Sequence, residues 1–256
     1  TMGRLIKHTA RTGPWNMAVD EMLFDTVTSN GIPVLRFYSW IQPTLSIGYF
    51  QPYHHAANWR YLNGPPSLDV VRRLTGGGAI LHQHEITYTL IVQPDKLSVP
   101  IRNDPRQLYD IMHTALAVVF ANHGFPTSMR KHTASDPSSP TPLQTNDFMC
   151  FRRHSDTDML LRGEKIVGSA QRRRHKTVLQ HGTILLSSSP FLPDIQGLQT
   201  HLDDVLREIW IEQMSTSISE HLGITFNQSH LCRREIQLVN QLQMHKYSCD
   251  KWNQKR

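Results

Sequence analysis

The spacing of apolar residues predicts two long amphipathic helices. In residues 14–30 and again in residues 104–123, apolar side chains recur at intervals of three and four positions, which places them on one face of a helix. We expect Asn16 to cap the first helix, Asp104 to cap the second and Gly124 to close the second. Each helix therefore offers one apolar face to a core.

Shorter apolar runs, several of them alternating with polar residues, predict strands bounded by glycine and proline. Strands mixed with helices, including apparent hairpins, favour an α+β fold over a regular alternation of strand and helix. We predict strands at residues 34–38, 44–49, 70–74, 80–92, 159–161, 165–170 and 178–186.

The second half of the chain combines a polar segment with a helical one. Residues 126–147 are rich in proline, serine and threonine and lack an apolar period, so we predict a long mobile loop there. The segment after residue 200 has helical spacing, with a weaker helix at 231–244. We therefore predict one catalytic domain over residues 1–200 and a helical C-terminal extension, residues 201–256, packed on it. The expected apolar face of its first helix consists of Leu202, Val205, Leu206 and Ile209.

Composition and charge exclude several classes of protein. The chain has 256 residues and a formal net charge of +6, and it contains no apolar run long enough for a transmembrane helix. Its first residues lack a secretory signal, so we expect a cytoplasmic protein. We predict neither nucleic-acid binding nor a metal site, because no reader motif is present and His82 and His84 lack a third ligand at a suitable spacing. The cysteines, which form neither a disulfide framework nor a C-x-x-C pair, are Cys150, Cys232 and Cys249.

A glycine triplet between two predicted strands is the first candidate for chemistry. Gly76, Gly77 and Gly78 follow closely after Arg72 and Arg73. Glycines let a chain pass close to a ligand, and exposed N–H groups can bind an anion or a carbonyl, with arginines as further donors. The segment has neither the Gly-Lys-Ser/Thr of a P-loop nor the Rossmann pattern. Taken alone, the triplet indicates no more than a tight turn.

Two further segments combine polar side chains with small residues. Lys165 begins a predicted strand after a hairpin turn, and Gly168, Ser169 and Ala170 follow it. A lysine at such a position is ordinarily a solvated charge, but small residues beside it indicate a chain packed against the strand. The triplet His181-Gly182-Thr183 then enters the next predicted strand.

Taken in order, these segments resemble the lipoate–protein ligase and octanoyltransferase family, which is related to the biotin–protein ligases. The resemblance covers residues 72–82, 165–171 and 181–183, and residues 16–21 resemble the family's first helix. It implies a mixed, largely antiparallel sheet flanked by helices, with a tunnel for a medium-length acyl chain. Lys165 would reach the acyl carbonyl. The implied substrate-binding residues are Arg72, Arg73, Gly76, Gly77, Gly78, His82, Gly168, Ser169, Ala170, His181 and Gly182.

Cys150 distinguishes the two kinds of chemistry in that family. Ligases activate free lipoate with ATP and need no cysteine, whereas transferases pass an octanoyl group through a cysteine thioester. From the residues alone, the neighbouring Phe148 and Phe151 favour the interpretation of Cys150 as a small, buried apolar residue. Its placement upstream of Lys165, however, resembles one octanoyltransferase subgroup. The resemblance therefore implies that Cys150 is the nucleophile and that Lys165 is the second catalytic residue, either as a base or as a group that positions the carbonyl.

A thiol nucleophile needs help to ionise, since a free thiol is only about 3% thiolate at pH 7. The cations expected to lower its pKa are Lys165, Arg152 and Arg153.

The implied activity is that of an octanoyl-[acyl-carrier-protein]:protein N-octanoyltransferase of lipoate biosynthesis. Octanoyl would pass from acyl carrier protein to Cys150 and then to a lysine of a lipoyl-domain or glycine-cleavage H-type protein, with no cofactor. The basic clusters would form a docking surface for acidic carriers. Two alternatives stay open, namely an ATP- and magnesium-dependent lipoate–protein ligase and a non-catalytic module that binds acyl chains or carriers.

Overall fold

Two β-sheets and six α-helices make up the part of the chain that the computed structural model describes, residues 1–97, 99, 101, 104–129, 147–153 and 155–256. The strands are β1 (Met2–Lys7), β2 (Val34–Tyr38), β3 (Thr44–Ile47), β4 (Asp69–Arg72), β5 (Ile80–His82), β6 (Glu85–Val92), β7 (Ser128–Met129), β8 (Met159–Leu161), β9 (Glu164–Arg174), β10 (Thr177–Leu185) and β11 (Thr225–Gln228). The helices are α1 (Gly13–Asn30), α2 (Tyr53–Asn63), α3 (Pro105–Asn122), α4 (Asp204–Leu222), α5 (Arg233–Leu242) and α6 (Asp250–Asn253).

The large sheet is mixed and mostly antiparallel, which confirms the predicted α+β architecture. Its eight strands follow the order β11-β1-β2-β6-β10-β9-β8-β7. Only the pairs β11–β1 and β1–β2 are parallel, and the pairs from β2 to β7 are antiparallel. The small sheet has the order β4-β3-β5, with β3 parallel to β4 and antiparallel to β5.

Helices cover both faces of the large sheet. On one face, α3 and α4 pack against β6 through residues such as Phe120, Trp210 and Tyr88. On the other face, α1 packs against the same strands, with Leu23 and Val27 beside Ile91. The sheet is therefore the middle layer of the molecule, which explains why its central strands β2, β6 and β10 are buried along their whole length.

The small sheet brings the segment before Cys150 next to the glycine triplet. Its apolar residues form a cluster with Met149, and Ala79 and Met149 pair as an isolated bridge. Hydrophobic burial of Met149 thus fixes the position of the neighbouring Cys150.

The two long predicted helices are confirmed as α1 and α3, but one capping prediction is wrong. Asp104 caps α3 by accepting a hydrogen bond from the Arg106 N–H. Asn16, by contrast, lies inside α1, which begins after Thr12, and its side chain is buried against Arg36 and the Ser39 carbonyl. A buried polar interaction has taken the side chain that the sequence suggested as a cap.

The segment after residue 200 departs most from its prediction. In α4 the buried face contains Trp210, Met214 and Ile218, whereas Val205 and Ile209 are exposed. Strand β11, which sequence analysis missed, adds to the edge of the large sheet. The other elements that were missed are β1, α2 and β7, the last of which lies in the segment predicted as a loop. The loop predicted at 126–147 lies outside the described residues, except for residues 126–129 and 147. In the described residues, no helix has both the length and the apolar character needed to cross a membrane.

Gly182→Ala is expected to destabilise the fold. A Cβ at this position of β10 would lie 2.5 Å from a ring carbon of Tyr88, which is completely buried. Tyr88 is held by a 2.8 Å hydrogen bond with Ser169, so the ring cannot move away freely. We expect a loss of about 1–3 kcal/mol in the free energy of unfolding, measured by urea denaturation. Gly76→Ala is the control, because its Cβ would meet Phe50 only at 3.7 Å, and equal losses in both variants would contradict the packing argument.

Candidate active site

The backbone around Cys150 is joined to the glycine triplet by hydrogen bonds. The Cys150 N–H donates to the Ala79 carbonyl at 2.7 Å, and the Ala79 N–H donates to the Phe148 carbonyl at 2.8 Å. Cys150 itself opens a short 3₁₀ helix, Cys150–Arg152, and is partly exposed. The thiol is therefore presented from a fixed backbone and is not sealed in the core.

Glycines make the close approach of these chains possible. A Cβ on Gly78 would lie 2.7 Å from the Cys150 nitrogen, a distance that packing does not tolerate. A Cβ on Gly168 would lie 3.4 Å from the Cys150 Sγ and 3.2 Å from Cε of Lys165. The space beside the sulfur thus exists because β9 has no side chain at residue 168.

Lys165 stands next to the thiol and is held by a carboxylate. Its Nζ lies 3.8 Å from the Cys150 Sγ and donates to the Cys150 carbonyl at 3.1 Å. It also forms a 2.8 Å ion pair with Asp158, and both side chains are at least 95% buried. Asp158 is fixed in turn by the Ser155 N–H. The ion pair holds the Lys165 side chain in place, so the group beside the sulfur is a positioned hydrogen-bond donor.

A narrow cavity opens beside the sulfur, with about 400 Å³ of empty space that includes its mouth. Met17, Trp40 and Ile80 supply apolar surface, and residues of the central strands supply small side chains. This combination suits a slender apolar chain with a reactive end at Cys150. The remaining lining residues are Tyr38, Ser46, Arg73, Gly77, His82, Thr87, Gly168, Ser169, Ala170, His181, Gly182 and Thr183.

Arg73 is linked to His82 through a serine hydroxyl. Arg73 Nη1 donates to Ser46 Oγ at 3.2 Å, and the Ser46 hydroxyl shares a 2.8 Å hydrogen bond with His82 Nε2. The other ring nitrogen, Nδ1, is hydrogen-bonded to the buried Glu85 carboxylate. His82 also stacks on Trp40, with ring centroids 3.9 Å apart. Both ring nitrogens are thus committed to protein partners, which leaves His82 unsuited to bind a metal.

His181 has a corresponding arrangement on the other side of Arg73. Arg73 Nε donates to Thr75 Oγ1 at 3.2 Å, and the Thr75 hydroxyl meets His181 Nε2 at 2.5 Å. Burial lowers the pKa of His181, although the nearby Asp20 carboxylate acts in the opposite direction. Burial alone would raise the pKa of Asp20, but Arg36 and His181 outweigh it and leave that pKa lowered. His181 is therefore neutral at physiological pH and linked to an ionised carboxylate.

The structure brings together most of the residues that the sequence suggested. Lys165 lies beside the sulfur, as described above, and Gly76 and Gly78 lie behind the lining, where their carbonyls accept from Arg73 at 2.7 Å. The predicted residues that line the cavity are Arg73, Gly77, His82, Cys150, Gly168, Ser169, Ala170, His181 and Gly182.

Two arginines are placed differently from their prediction. Arg72 does not line the cavity, because its buried guanidinium donates to the carbonyls of Gly48, Gln51 and Asn253 and thereby anchors α6. Arg152, expected to act on the thiol, points outward to a 2.8 Å ion pair with Asp194. Arg72 and Arg73 are adjacent in sequence, yet only Arg73 lines the cavity.

Sequence reasoning missed several residues that complete the site. Trp40 and Ser46 come from the segment around β3, far in sequence from the motifs, and no local pattern marks them. Glu85 and Asp158 do carry a signal, since each is an acidic residue within seven positions of a predicted site residue. Only the three-dimensional pairing of carboxylate with His82 or Lys165 reveals their role.

The known proteins similar to this chain include octanoyltransferases and lipoate protein ligases. A model of the lipoyl protein ligase A/B catalytic domain matches residues 13–234. The octanoyltransferase LipM of Lysinibacillus sphaericus is 31% identical over 94% of this chain and 95% of its own length. LipM of Brevibacillus brevis is 31% identical over 99% of both chains. The bi-partite lipoate protein ligase of Thermoplasma acidophilum, described with its E2 lipoyl domain, has the same fold, with a TM-score of 0.68 at 21% identity over 99% of this chain and 96% of that chain.

Proposed function

The chain belongs to the lipoyl protein ligase A/B catalytic-domain family, and we propose that it is an octanoyltransferase that carries the acyl group on Cys150. Two full-length relatives that are 31% identical bear the name octanoyltransferase, which supports octanoyl transfer for lipoate biosynthesis. The single observation that carries the cysteine mechanism is the 3.8 Å approach of the Lys165 Nζ to the Cys150 Sγ at a narrow cavity.

In the first half of the reaction, the Cys150 thiolate attacks the carbonyl carbon of an octanoyl thioester on acyl carrier protein. A carbon–sulfur bond to Cys150 forms, the bond to the carrier sulfur breaks, and the carrier thiolate takes up a proton. One thioester replaces another, so the step is nearly thermoneutral and needs no nucleotide. The Lys165 ammonium, held by Asp158, donates toward the carbonyl oxygen as negative charge develops on it.

In the second half, a lysine amine of a lipoyl-carrying protein attacks the Cys150 thioester. A carbon–nitrogen bond forms, the Cys150 thiolate leaves, and the proton lost by the amine is released. The conversion of a thioester to an amide runs downhill. Because the Lys165 Nζ is held by an ion pair with Asp158 and donates to the Cys150 carbonyl, we assign Lys165 the role of positioning the carbonyl and stabilising the oxyanion, and not that of the base.

Octanoyl occupies the cavity between the apolar residues and the glycine-rich strands. Its carbonyl end lies at Cys150, and its methylene chain runs past Gly168 and Ala170. Side chains at these two positions are absent or small, which leaves room for an unbranched chain.

A basic surface beside the glycine triplet is proposed as the docking site for the carrier. Arg172 follows two residues after Ala170 on β9, and its guanidinium lies 5.1 Å from the ring centre of Tyr49. Lys255 Nζ lies 3.5 Å from the same ring and, through a hydrogen bond, lowers the pKa of Tyr49. Successive residues on one face of a strand are about 7 Å apart, so Arg172 lies near the edge of the cavity that Ala170 lines.

Higher salt is expected to raise the KM for the octanoyl carrier, because dissolved ions screen the attraction between an acidic carrier and these cations. Arg172→Gln should do the same at low salt by several-fold. Transfer from a small octanoyl thioester that lacks the carrier is the control and should change little. A carrier KM that is independent of both salt and Arg172 would contradict the docking site.

Octanoyl transfer in the absence of ATP tests the function itself. Purified protein, octanoyl carrier and a lipoyl-domain acceptor should give amide-linked octanoyl without nucleotide, and free octanoate or lipoate with ATP and magnesium should give none. Transfer only from the free acid with ATP would favour a ligase. The absence of any acyl transfer under either condition would favour a binding module.

A further inference from the structure

Arg73 is a buried cation whose hydrogen bonds all end on neutral groups. Its guanidinium donates to the carbonyl and hydroxyl of Ser46, to the Thr75 hydroxyl, and to the carbonyls of Gly76 and Gly78, at 2.7 to 3.2 Å. The side chain is almost completely buried. Water therefore contributes little to compensating this positive charge.

Two of the other buried cations near the site have carboxylate partners, whereas Arg72, which does not line the cavity, donates only to carbonyls. Lys165 pairs with Asp158 at 2.8 Å, and Arg36 pairs with Asp20 at 2.6 Å. Within the described residues, Arg73 forms no such ion pair, and its hydrogen bonds reach carboxylates only through a hydroxyl and an imidazole. A buried charge of this kind acts strongly on an ionisable neighbour, because the surroundings screen it weakly.

Cys150 is such a neighbour. Both residues line the same cavity, and Gly78 lies between them, since its carbonyl accepts from Arg73 at 2.7 Å and a Cβ added to it would lie 2.7 Å from the Cys150 nitrogen. Burial lowers the pKa of Arg73 to about 10, and the negative charge of an ionised Cys150 is the strongest influence in the opposite direction.

We infer that Arg73 is the electrostatic partner of the Cys150 sulfur, a second cation besides Lys165 that stabilises the thiolate before attack and after release. The inference rests on the proposed nucleophilic role of Cys150. Arg73 neither gains nor loses a proton in either half of the reaction, and it acts through its fixed charge. Its fork of donors also holds the glycine loop, so the charge and the wall of the cavity are positioned together.

Several other ionisable groups lie around this thiol. Lys165 faces it from β9, and Arg153, which is less buried, donates to the Asp147 carbonyl from the same turn as Cys150. Asp158 offsets the charge of Lys165. Tyr109, from α3, has its pKa raised by burial and stays neutral near neutral pH.

The test is the pH profile of Cys150 alkylation by iodoacetamide, in a Cys232→Ser, Cys249→Ser background where only one thiol reacts. Arg73→Gln is expected to raise the pKa of the Cys150 thiol by about one unit, which lowers the thiolate fraction at neutral pH about tenfold. Arg73→Lys keeps a positive charge, so the pKa of its Cys150 thiol should return most of the way to the value in the original protein. Arg152→Gln is the matched control, because its partner Asp194 and solvent already compensate that charge, and it should leave the profile unchanged.

A second measurement does not depend on the folding of Arg73 variants. In the pair variant Lys165→Met, Asp158→Asn, the thiol pKa should remain below the value of about 8.5 for a free thiol, because Arg73 is still present. A value at or above 8.5 in that variant would overturn the inference. An unchanged pH profile of alkylation in folded Arg73→Gln would also overturn it. The same holds if the profile of Arg73→Lys equals that of Arg73→Gln. Acylation of the unaltered Cys150 is measured separately, so failure of this inference is distinguishable from failure of the proposed nucleophile.

Discussion

Cys150→Ala is expected to lower octanoyl transfer from the carrier by at least about a thousandfold, since removal of a nucleophile removes the whole covalent pathway. The substituted side chain is small and partly exposed, so the fold should persist. Rates are measured with saturating octanoyl carrier and acceptor, and circular dichroism checks the fold.

The matched controls are Cys232→Ser and Cys249→Ser. Both residues lie in the C-terminal segment at the starts of α5 and α6, away from the cavity, and serine is a good helix cap. Neither control should change the rate by more than about twofold, because a change at an N-cap alters the free energy of unfolding by only a few tenths of a kcal/mol. A Cys150→Ala protein with a normal rate would mean that the acyl group passes directly from carrier to acceptor.

Lys165→Met is expected to lower the rate of acyl transfer by about a hundredfold or more, the range found when a donor to a developing oxyanion is removed. The substitution keeps the length of the side chain but removes the ammonium that lies 3.8 Å from the sulfur. It also leaves Asp158 buried without its partner, which costs several kcal/mol of stability by itself.

The pair variant Lys165→Met, Asp158→Asn separates these two effects. It removes both charges, so it should fold nearly as well as the original protein and yet remain slow. Lys176→Met, an exposed lysine in the turn between β9 and β10, is the control and should be fully active. Recovery of the rate in the pair variant would show that Lys165 serves only to compensate Asp158.

The sequence predicted the helices in which apolar residues repeat regularly along one continuous segment. Helices α1 and α3 have apolar faces that repeat over 18 residues each, and both are present within a few residues of their predicted limits. In α4 the apolar residues are spread around the helix, so Val205 and Ile209 were assigned to the core while Trp210 and Met214 occupy it. Which face is buried there depends on α3, a partner that lies about 100 residues away in sequence.

The candidate site shows the same division between local and distant information. Cys150, Lys165 and the glycine triplet could be identified because each lies in a short motif with a resemblance to a family. The carboxylate paired with Lys165 and the hydroxyl bonded to His82 could not be identified in this way. Asp158 lies in the segment before β8, and Ser46 lies on β3, 36 residues before His82 in sequence. The role of Arg73 differs from that of the adjacent Arg72 only because successive side chains at the end of β4 point in opposite directions.

The account depends on an acyl group bound to one sulfur, and the mass of the intact protein measures this directly. After brief mixing with octanoyl carrier and no acceptor or ATP, the protein should gain the mass of one octanoyl group, which hydroxylamine removes and which an acceptor protein discharges. The Cys232→Ser, Cys249→Ser protein should gain the same mass, and Cys150→Ala should gain none. An adduct that persists in Cys150→Ala, or that forms only with ATP, would contradict the account.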